Sequence, residues 1–381
     1  MLIYIVNFLV NMILGWMLLY PQSCTSITNN SSKSVKILNR RKAIYLTITA
    51  LQFGLLCGFR SFAMAYDTAA YLEIFNTAPS SWNNILNNNL YIEIGFSVLC
   101  SIVKIFGGSF QTLLIITSLF IIGSCCLFIY RHSENVLLSV FTIVSFPFFY
   151  STFDIIRHFL AVSFLLLGYK YVIERKPLKF LMFIFIGSLF HKVCWLFIPF
   201  YFIFRLKFSA KNTITALIIT VISFVFIEDI AVYLSDIFDK SSGVEDGWIN
   251  SFGGGIRTTF MYLVIFIIAL ILFSNLKEKT TKDHVAMNFI LLLFLFSVLF
   301  INARMMTRFI MMSIPFLSIS MPQILDSKRI NDKLTYQFCF LGFLLIGVVY
   351  HIFMLLTNWQ NVVPYIPFWE NNNYFIPDLE V

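Results

Sequence analysis

Residues 110–130 read FQTLLIITSLFIIGSCCLFIY and contain no charged side chain. As an α-helix, this stretch extends about 31 Å at 1.5 Å per residue, which matches the hydrocarbon thickness of a bilayer. Because the backbone polar groups of a chain in lipid must pair within the segment, such a stretch is helical. The sequence therefore predicts an all-α polytopic integral membrane protein. Its apolar runs lie at 1–20, 43–59, 94–106, 110–130, 136–149, 157–173, 178–204, 213–233, 257–276, 285–301, 309–323 and 334–356.

The composition excludes an ordinary soluble domain. Of the 381 residues, 59% are hydrophobic, 12% are charged and 45 are phenylalanine. A soluble domain carries about 25% charged residues, and polar groups could not cover this much apolar side chain. We therefore expect a single transmembrane domain over residues 1–381, with about 12 transmembrane helices at roughly 20 residues per span. The first run, 1–20, lacks the features of a cleaved signal peptide and is interpreted as the first helix.

The charge and the cysteines argue against two other kinds of site. The formal net charge is +8, but the basic residues lie in short loops between apolar runs. That pattern is typical of cytoplasmic loops rather than of a nucleic-acid surface. Most of the seven cysteines lie in apolar runs and none forms a CxxC pair. We interpret them as small buried residues, not as disulfides or zinc ligands.

Loop charges predict the topology. Basic loops are expected inside and acidic or neutral segments outside, which places both termini outside. The basic loops are 33–42, 175–179, 205–211, 277–282 and 328–333, and the other segments are 61–93, 234–250 and 357–381.

Two apolar runs have lengths that do not fit one crossing. Both flanks of 178–204 are basic, which predicts two short helices with a turn near His191–Lys192. The run 94–106 has only 13 residues, so we expect it to re-enter or to lie along the interface rather than to cross.

Ionisable residues near the predicted outer helix ends are the candidates for function, because such residues are costly in a membrane and are usually functional. Five of them are arginines, although the positive-inside rule predicts few on this side. A polyanionic ligand such as a lipid pyrophosphate would explain them, since arginine binds phosphate with a planar fork and keeps its charge. The candidates are Arg60, Asp67, Glu93, Asp154, Arg157, His158, His191, Arg257, Arg304 and Arg308.

Structural alternatives exist for each candidate. Arg157 lies one helical turn from Asp154 and could pair with it, and Arg257 could extend to lipid headgroups. His158 and His191 could be helix-packing residues. A metal site is not indicated, because no HxxxH or HxxE pair accompanies either histidine. Asp67 and Glu93 could cap a helix or act as a general base.

Several short motifs resemble those of the EpsG/Wzy-type polysaccharide polymerases, and their order is the same as in that family. They cover about residues 55–310. The matching residues are Gly58-Phe59-Arg60, Tyr66-Asp67-Thr68 with Tyr71, Glu93-Ile94-Gly95-Phe96, Ile156-Arg157-His158 with the residues around it, Ser188-Leu189-Phe190-His191, and Arg308-Phe309. Tyr66 and His158 stand where the family has Gly and Gln.

The resemblance implies a GT-C-like glycosyltransferase that polymerises repeat units of O-antigen or capsular polysaccharide. Its substrates would be glycans linked to undecaprenyl pyrophosphate, and no cofactor is implied. The reaction would take place at the outer face of the bacterial inner membrane, with membrane lipid and a chain-length regulator protein as partners and no nucleic acid. Outer segments 60–93 and 234–256 are expected to cover the active site.

The resemblance also suggests roles for the candidates. Asp67 or Glu93, with His191 as an alternative, would deprotonate the acceptor hydroxyl. Pyrophosphate would be bound by Arg60, Arg157 and Arg308, then by Arg304 and Arg257, with His158 and Asp154 as further substrate contacts. A lipid-linked oligosaccharide flippase and a membrane O-acyltransferase are the competing functions. A flippase would need two similar halves, and an acyltransferase would need a histidine at the inner side.

Overall fold

The described residues of this protein form helices and turns and contain no β-strand, which confirms the all-α prediction. A computed structural model describes residues 1–23, 32–85, 93–203, 205–226, 255–303 and 306–373. Its α-helices are α1 (Leu2–Ser23), α2 (Ser32–Gly58), α3 (Thr68–Thr77), α4 (Ile94–Ile105), α5 (Phe110–His132), α6 (Val136–Ser145), α7 (Phe148–Ser151), α8 (Ile156–Ile173), α9 (Pro177–Ser188), α10 (Phe200–Ile203), α11 (Ala210–Val225), α12 (Ile256–Ser274), α13 (Thr281–Phe300), α14 (Thr307–Ile324) and α15 (Lys333–Leu356).

Six helices in the described part of the chain are long and apolar enough to cross a membrane. These helices make the chain a multi-span membrane protein. They are Leu2–Tyr20, Phe110–His132, Ile156–Ile173, Ile256–Ser274, Thr281–Phe300 and Lys333–Leu356.

Helix α14 lies at the centre of the bundle. Every residue from Phe309 to Ile324 is buried, and the helix packs against α5, α6, α7, α8, α12 and α13. A helix surrounded on all sides needs no polar face, which explains why its buried part carries no charged residue. Arg308 lies in its first turn and Gln323 in its last.

The predicted inner loops lie together at one end of the bundle, here called the basic end. Lys282 Nζ lies 2.9 Å from Glu134 Oε1, so the turn after α5 meets the start of α13. The Lys277 amide donates to the Arg329 carbonyl at 2.9 Å, and Arg205 donates to a carbonyl at the end of α8. Loops far apart in the sequence therefore share one end, as their charges predicted.

The prediction of two short helices within 178–204 is confirmed. Helix α9 ends at Ser188, the chain turns through His191, and a 3-10 helix, Lys192–Phe197, leads to α10 and back to the basic end. The turn packs closely, because a Cβ at Gly187 would lie 2.8 Å from Cys194 Sγ.

Helix α4 has both of its ends at the end of the bundle opposite the basic loops. Glu93, which precedes it, contacts Arg157 at the start of α8. Lys104, in its last turn, donates to carbonyls at the C-terminal end of α3. Helix α5 then begins beside the end of α2, where Gln111 donates to the Gly58 carbonyl. The path agrees with the expectation that 94–106 does not cross.

A segment after α15, residues 357–368, forms what we call the C-terminal strap. The Ser61 amide donates to the Ile366 carbonyl at 2.8 Å, and the Ala65 amide donates to the Asn361 carbonyl at 3.2 Å. The strap therefore supports the loop 61–67, which carries Asp67. Of the two predicted covering segments, 60–93 and 234–256, the part 60–85 lies at this end, whereas 86–92 and 234–254 fall outside the described residues.

Candidate active site

Four charged or polar side chains from four separate elements meet at the end opposite the basic loops. Arg157 Nη1 donates to Glu93 Oε2 at 2.5 Å. His191 Nδ1 lies 3.4 Å from Glu93 Oε1, and Arg308 Nη1 lies 3.2 Å from His191 Nε2. The Lys192 amide also donates to Glu93 Oε1, at 3.4 Å. We call Glu93, Arg157, His191 and Arg308 the charged cluster.

The local sequence explains how these elements approach each other. The Gly95 amide donates to the Leu189 carbonyl at 2.7 Å. A Cβ at Gly95 would lie only 2.6 Å from that carbonyl oxygen, so a glycine is needed for α4 to reach the turn after α9. The glycine of the E-x-G motif thereby places Glu93 beside His191.

The partners of His191 fix its tautomer. An arginine guanidinium has only donors, so Nε2, which faces Arg308, is the acceptor and Nδ1, which faces Glu93, carries the hydrogen. Burial lowers the pKa of His191, although Glu93 opposes this shift. The imidazole is therefore neutral near pH 7, and its lone pair is already used by Arg308.

Glu93 is a poor proton acceptor in this setting. Burial raises its pKa, but the contact with His191 and the charge of Arg157 outweigh burial and lower the pKa to about 2. Its side chain is 9% exposed. Glu93 is thus an ionised anchor for Arg157 and His191.

Asp67 lies beside the cluster in a different environment. It precedes α3, is half-buried, and makes no capping bond with its side chain. Burial raises its pKa, while the charges of Arg308 and Arg157 oppose that shift. Because its carboxylate is more basic than that of Glu93, it is the better proton acceptor of the two.

Tyr71 joins Asp67 to the charged cluster and was given no role from the sequence. It is buried beside Asp67 and Arg157 and influences the charge of both, and the Arg157 guanidinium lies 5.8 Å from its ring centroid. Its spacing of four residues after Asp67 could have indicated the contact, since such residues share a helix face. Lys192 was also missed, because its contact is made by the backbone.

Asp154 lies behind Asp67. Its Oδ1 accepts the Asp67 amide at 2.7 Å, and the side chain is almost fully buried. Burial and the nearby Asp67 carboxylate raise its pKa to about 7, although Arg60 opposes the shift.

The remaining sequence candidates occupy different positions. Arg60 is completely buried, and His158 is buried with its ring 5.3 Å from that of His191. Arg257 is exposed at the start of α12, with its guanidinium over the Phe353 ring. Arg304 lies outside the described residues.

The half-buried guanidinium groups of Arg157 and Arg308 and the carboxylate of Asp67 lie together where solvent or a lipid headgroup can reach them. Such a group of charges can bind an anion and accept a proton. Within the described ranges, no set of three or more His, Cys, Asp or Glu side chains could hold a metal ion.

The model of the EpsG family matches residues 43–366. No curated protein matches the chain, and no solved structure matches it.

Proposed function

The chain belongs to the EpsG family, and from this premise we propose that it is a polysaccharide polymerase with its active site at the charged cluster. The proposed reaction joins repeat units of O-antigen or capsular polysaccharide that are linked to undecaprenyl pyrophosphate. The acceptor hydroxyl oxygen forms a bond to the anomeric carbon of the donor glycan. The bond from that carbon to the pyrophosphate oxygen breaks, and the hydroxyl proton passes to the enzyme.

One observation carries this proposal: two arginines and a basic carboxylate, widely separated in the sequence, converge at one end of the bundle. The Arg157 guanidinium lies 5.8 Å from the ring centroid of Tyr71, whose amide donates to the Asp67 carbonyl at 3.1 Å. The charges of Arg308 and Arg157 also oppose the burial that raises the pKa of Asp67. A departing pyrophosphate needs positive charge in place before it leaves. An acceptor hydroxyl needs a positioned base.

The contacts favour a distinct role for each group. Arg157 and Arg308 bind and stabilise the pyrophosphate, and Asp67 removes the acceptor proton. Glu93 and His191 orient the two arginines, because each already holds a guanidinium group through its own polar atoms. Tyr71 holds Asp67 and Arg157 at their relative positions.

We also propose twelve crossings and a GT-C-like arrangement. In this proposal the crossings are made by nine single helices, the pair formed by α6 and α7, and the two short helices within 177–203, which alternate between the basic end and the cluster end; the nine are α1, α2, α5, α8 and α11 to α15. Basic loops are retained in the cytoplasm, so the cluster would face the outside of the inner membrane. A partner that regulates chain length belongs to the same proposal.

The test is the glycan chain length in cells that carry Asp67→Asn, Arg157→Ala or Arg308→Ala at equal expression. Each variant should leave single repeat units on the surface lipid, because lipid-linked units reach the outside but are not joined. Arg131→Ala is the matched control, since this arginine is exposed at the basic end of α5, and its glycan should keep its normal length.

Two outcomes would contradict the proposal. Normal long glycan in all three variants would show that the charged cluster is not the active site. Loss of every repeat unit from the surface, with accumulation inside, would indicate a flippase instead.

A further inference from the structure

The charged cluster has too little positive charge for the ligand that we assign to it. Its cations are the guanidinium groups of Arg157 and Arg308. The carboxylates of Glu93 and Asp67 balance them when Asp67 is ionised, as a base must be. His191 adds no charge, because its imidazole is neutral near pH 7. A pyrophosphate that has left its sugar carries about three negative charges, one more than before the bond breaks. Its binding therefore needs a further cation beside the two arginines.

Lys192 lies in the turn that brings His191 into the cluster. Its backbone amide donates to Glu93 Oε1 at 3.4 Å, and Glu93 Oε2 accepts from Arg157 Nη1 at 2.5 Å. One carboxylate thus holds the backbone of Lys192 and the guanidinium group of Arg157 on its two oxygens. The Lys192 side chain therefore starts within the cluster, whichever rotamer it adopts.

The ammonium group of Lys192 can reach a ligand at this place. Lys192 is exposed, whereas its neighbours His191 and Val193 are buried. In the part of the chain that the structure describes, Lys192 forms no ion pair. Its flexible four-carbon stem is long enough to bring the ammonium group beside the guanidinium groups of the cluster. The positive-inside rule does not account for a lysine at the cluster end, which is the predicted outer end.

We propose that Lys192 is a third cationic ligand of the pyrophosphate and that its ammonium group binds the phosphate that separates from the sugar. This inference rests on the proposed function, because it adds a ligand to the same reaction. Arg157 and Arg308 are held in place by Glu93 and His191. A lysine is a point charge on a flexible stem, so it can follow a phosphate that moves as the bond breaks.

The surrounding bilayer is a second source of phosphate, because lysine side chains near helix ends extend to lipid headgroups. Both ligands present the same phosphate chemistry to Lys192, and the medium distinguishes them. A headgroup contact exists only where phospholipid is present. A contact with undecaprenyl pyrophosphate persists in a detergent that contains no phosphate.

The experiment uses the full-length protein in phosphatidylcholine nanodiscs and, separately, in dodecyl maltoside, which contains no phosphate. It compares the native chain with Lys192→Gln, Lys192→Arg, Arg157→Ala and Lys211→Gln. The last variant is the matched control, since Lys211 is an exposed lysine in the basic loop 205–211 and its loss changes the net charge equally. The affinity for undecaprenyl pyrophosphate and the single-turnover rate with a lipid-linked repeat unit are measured for each form. Thermal unfolding verifies that each form is folded.

Lys192→Gln should bind undecaprenyl pyrophosphate about tenfold more weakly than the native chain in both media, because it loses one charge-assisted contact. Its single-turnover rate should also fall about tenfold. The phosphate gains negative charge as the bond breaks, so the cation stabilises the transition state more than the bound substrate. Lys192→Arg keeps the charge and should recover most of the affinity and the rate. Lys211→Gln should match the native chain in both measurements.

The outcomes separate this inference from the proposed function. If Lys192→Gln binds undecaprenyl pyrophosphate as the native chain does while Arg157→Ala binds it weakly, the inference is overturned and the proposed function stands. If the Lys192→Gln defect is present in nanodiscs but absent in detergent, Lys192 binds headgroups and the inference is also overturned. An equal defect in Lys211→Gln would show an effect of net charge and refute the contact. If Arg157→Ala leaves pyrophosphate binding unchanged, the proposed function fails and the inference fails with it.

Discussion

Replacing Glu93 by Gln should destabilise the protein and loosen the charged cluster. The carboxylate accepts from Arg157 Nη1 at 2.5 Å and from the Lys192 amide at 3.4 Å, and it faces His191 Nδ1. A glutamine side chain keeps one acceptor oxygen, but its amide group would face either Arg157 or His191. Because a donor then meets a donor, one of these two residues must move.

The pKa of Glu93 gives the size of the effect. Its lowering from 4.5 to about 2 corresponds to about 3 kcal/mol at roughly 1.36 kcal/mol per unit. The remaining amide oxygen recovers part of this, so we expect a loss of about 2 kcal/mol in the free energy of unfolding. For a chain of this length, that is a decrease of about 3 °C in the midpoint of thermal unfolding.

The assay is thermal unfolding of the purified protein in detergent at several pH values. Because the folded protein lowers the pKa of Glu93, the carboxylate stabilises the fold above pH 4.5, and this contribution disappears as the pH falls towards 2. The difference between the native chain and Glu93→Gln should therefore be largest near pH 7 and should decrease below pH 4.5.

A matched control is Glu73→Gln, since Glu73 is an exposed carboxylate on α3 at the same end of the bundle. This variant should have the same midpoint of thermal unfolding as the native chain at every pH. The reasoning is refuted if Glu93→Gln has the same unfolding midpoint as the native chain at pH 7, or if its midpoint stays lower by the same amount at acid pH.

Three other predictions concern different contacts. Gly95→Ala should abolish polymerisation, measured as surface glycan length, because the new Cβ would lie 2.6 Å from the Leu189 carbonyl oxygen. Gly123→Ala is the control, because a Cβ there would meet nothing within 4 Å. Its free energy of unfolding, measured by thermal unfolding, should be unchanged or higher by up to about 1 kcal/mol. His191→Asn should retain much more turnover than His191→Ala, because Asn can still donate to Glu93; equal and complete loss in both would instead identify His191 as the base. Asp283→Asn should lower the free energy of unfolding by about 3 kcal/mol, measured by thermal unfolding, because it removes the charge that holds Arg329 and Gln323 at the basic end.

Most residues of the candidate site could be predicted from the sequence, because a charged residue type in a largely apolar chain is itself informative. Arg157, Arg308, His191 and Glu93 were identified because charged groups at helix ends in lipid are costly. The separate role of each residue could not be predicted from the sequence. Glu93 and Asp67 are both carboxylates in segments predicted to lie outside. Only the folded surroundings lower the pKa of Glu93 through its neighbours and raise that of Asp67 through burial.

Arg60 shows the limit of sequence reasoning most clearly. By its motif and its outer helix end it resembled Arg157, and the same role was predicted for both. In the structure, Arg60 is completely buried, whereas the Arg157 side chain is 24% exposed. Exposure depends on which loop and which part of the C-terminal strap cover a residue, and that is not encoded in its local sequence.

The sequence by itself determined that this chain folds in a lipid bilayer, that its backbone is helical and that its basic loops lie at one end of the bundle. Apolar length and loop charge decide these properties locally, because lipid accepts no unpaired backbone group. The tertiary structure alone decided which of the charges at the cluster end meet and which carboxylate remains basic. Those properties depend on contacts between elements up to about 240 residues apart in the sequence, such as Asp67 with Arg308, and on the burial that such packing creates.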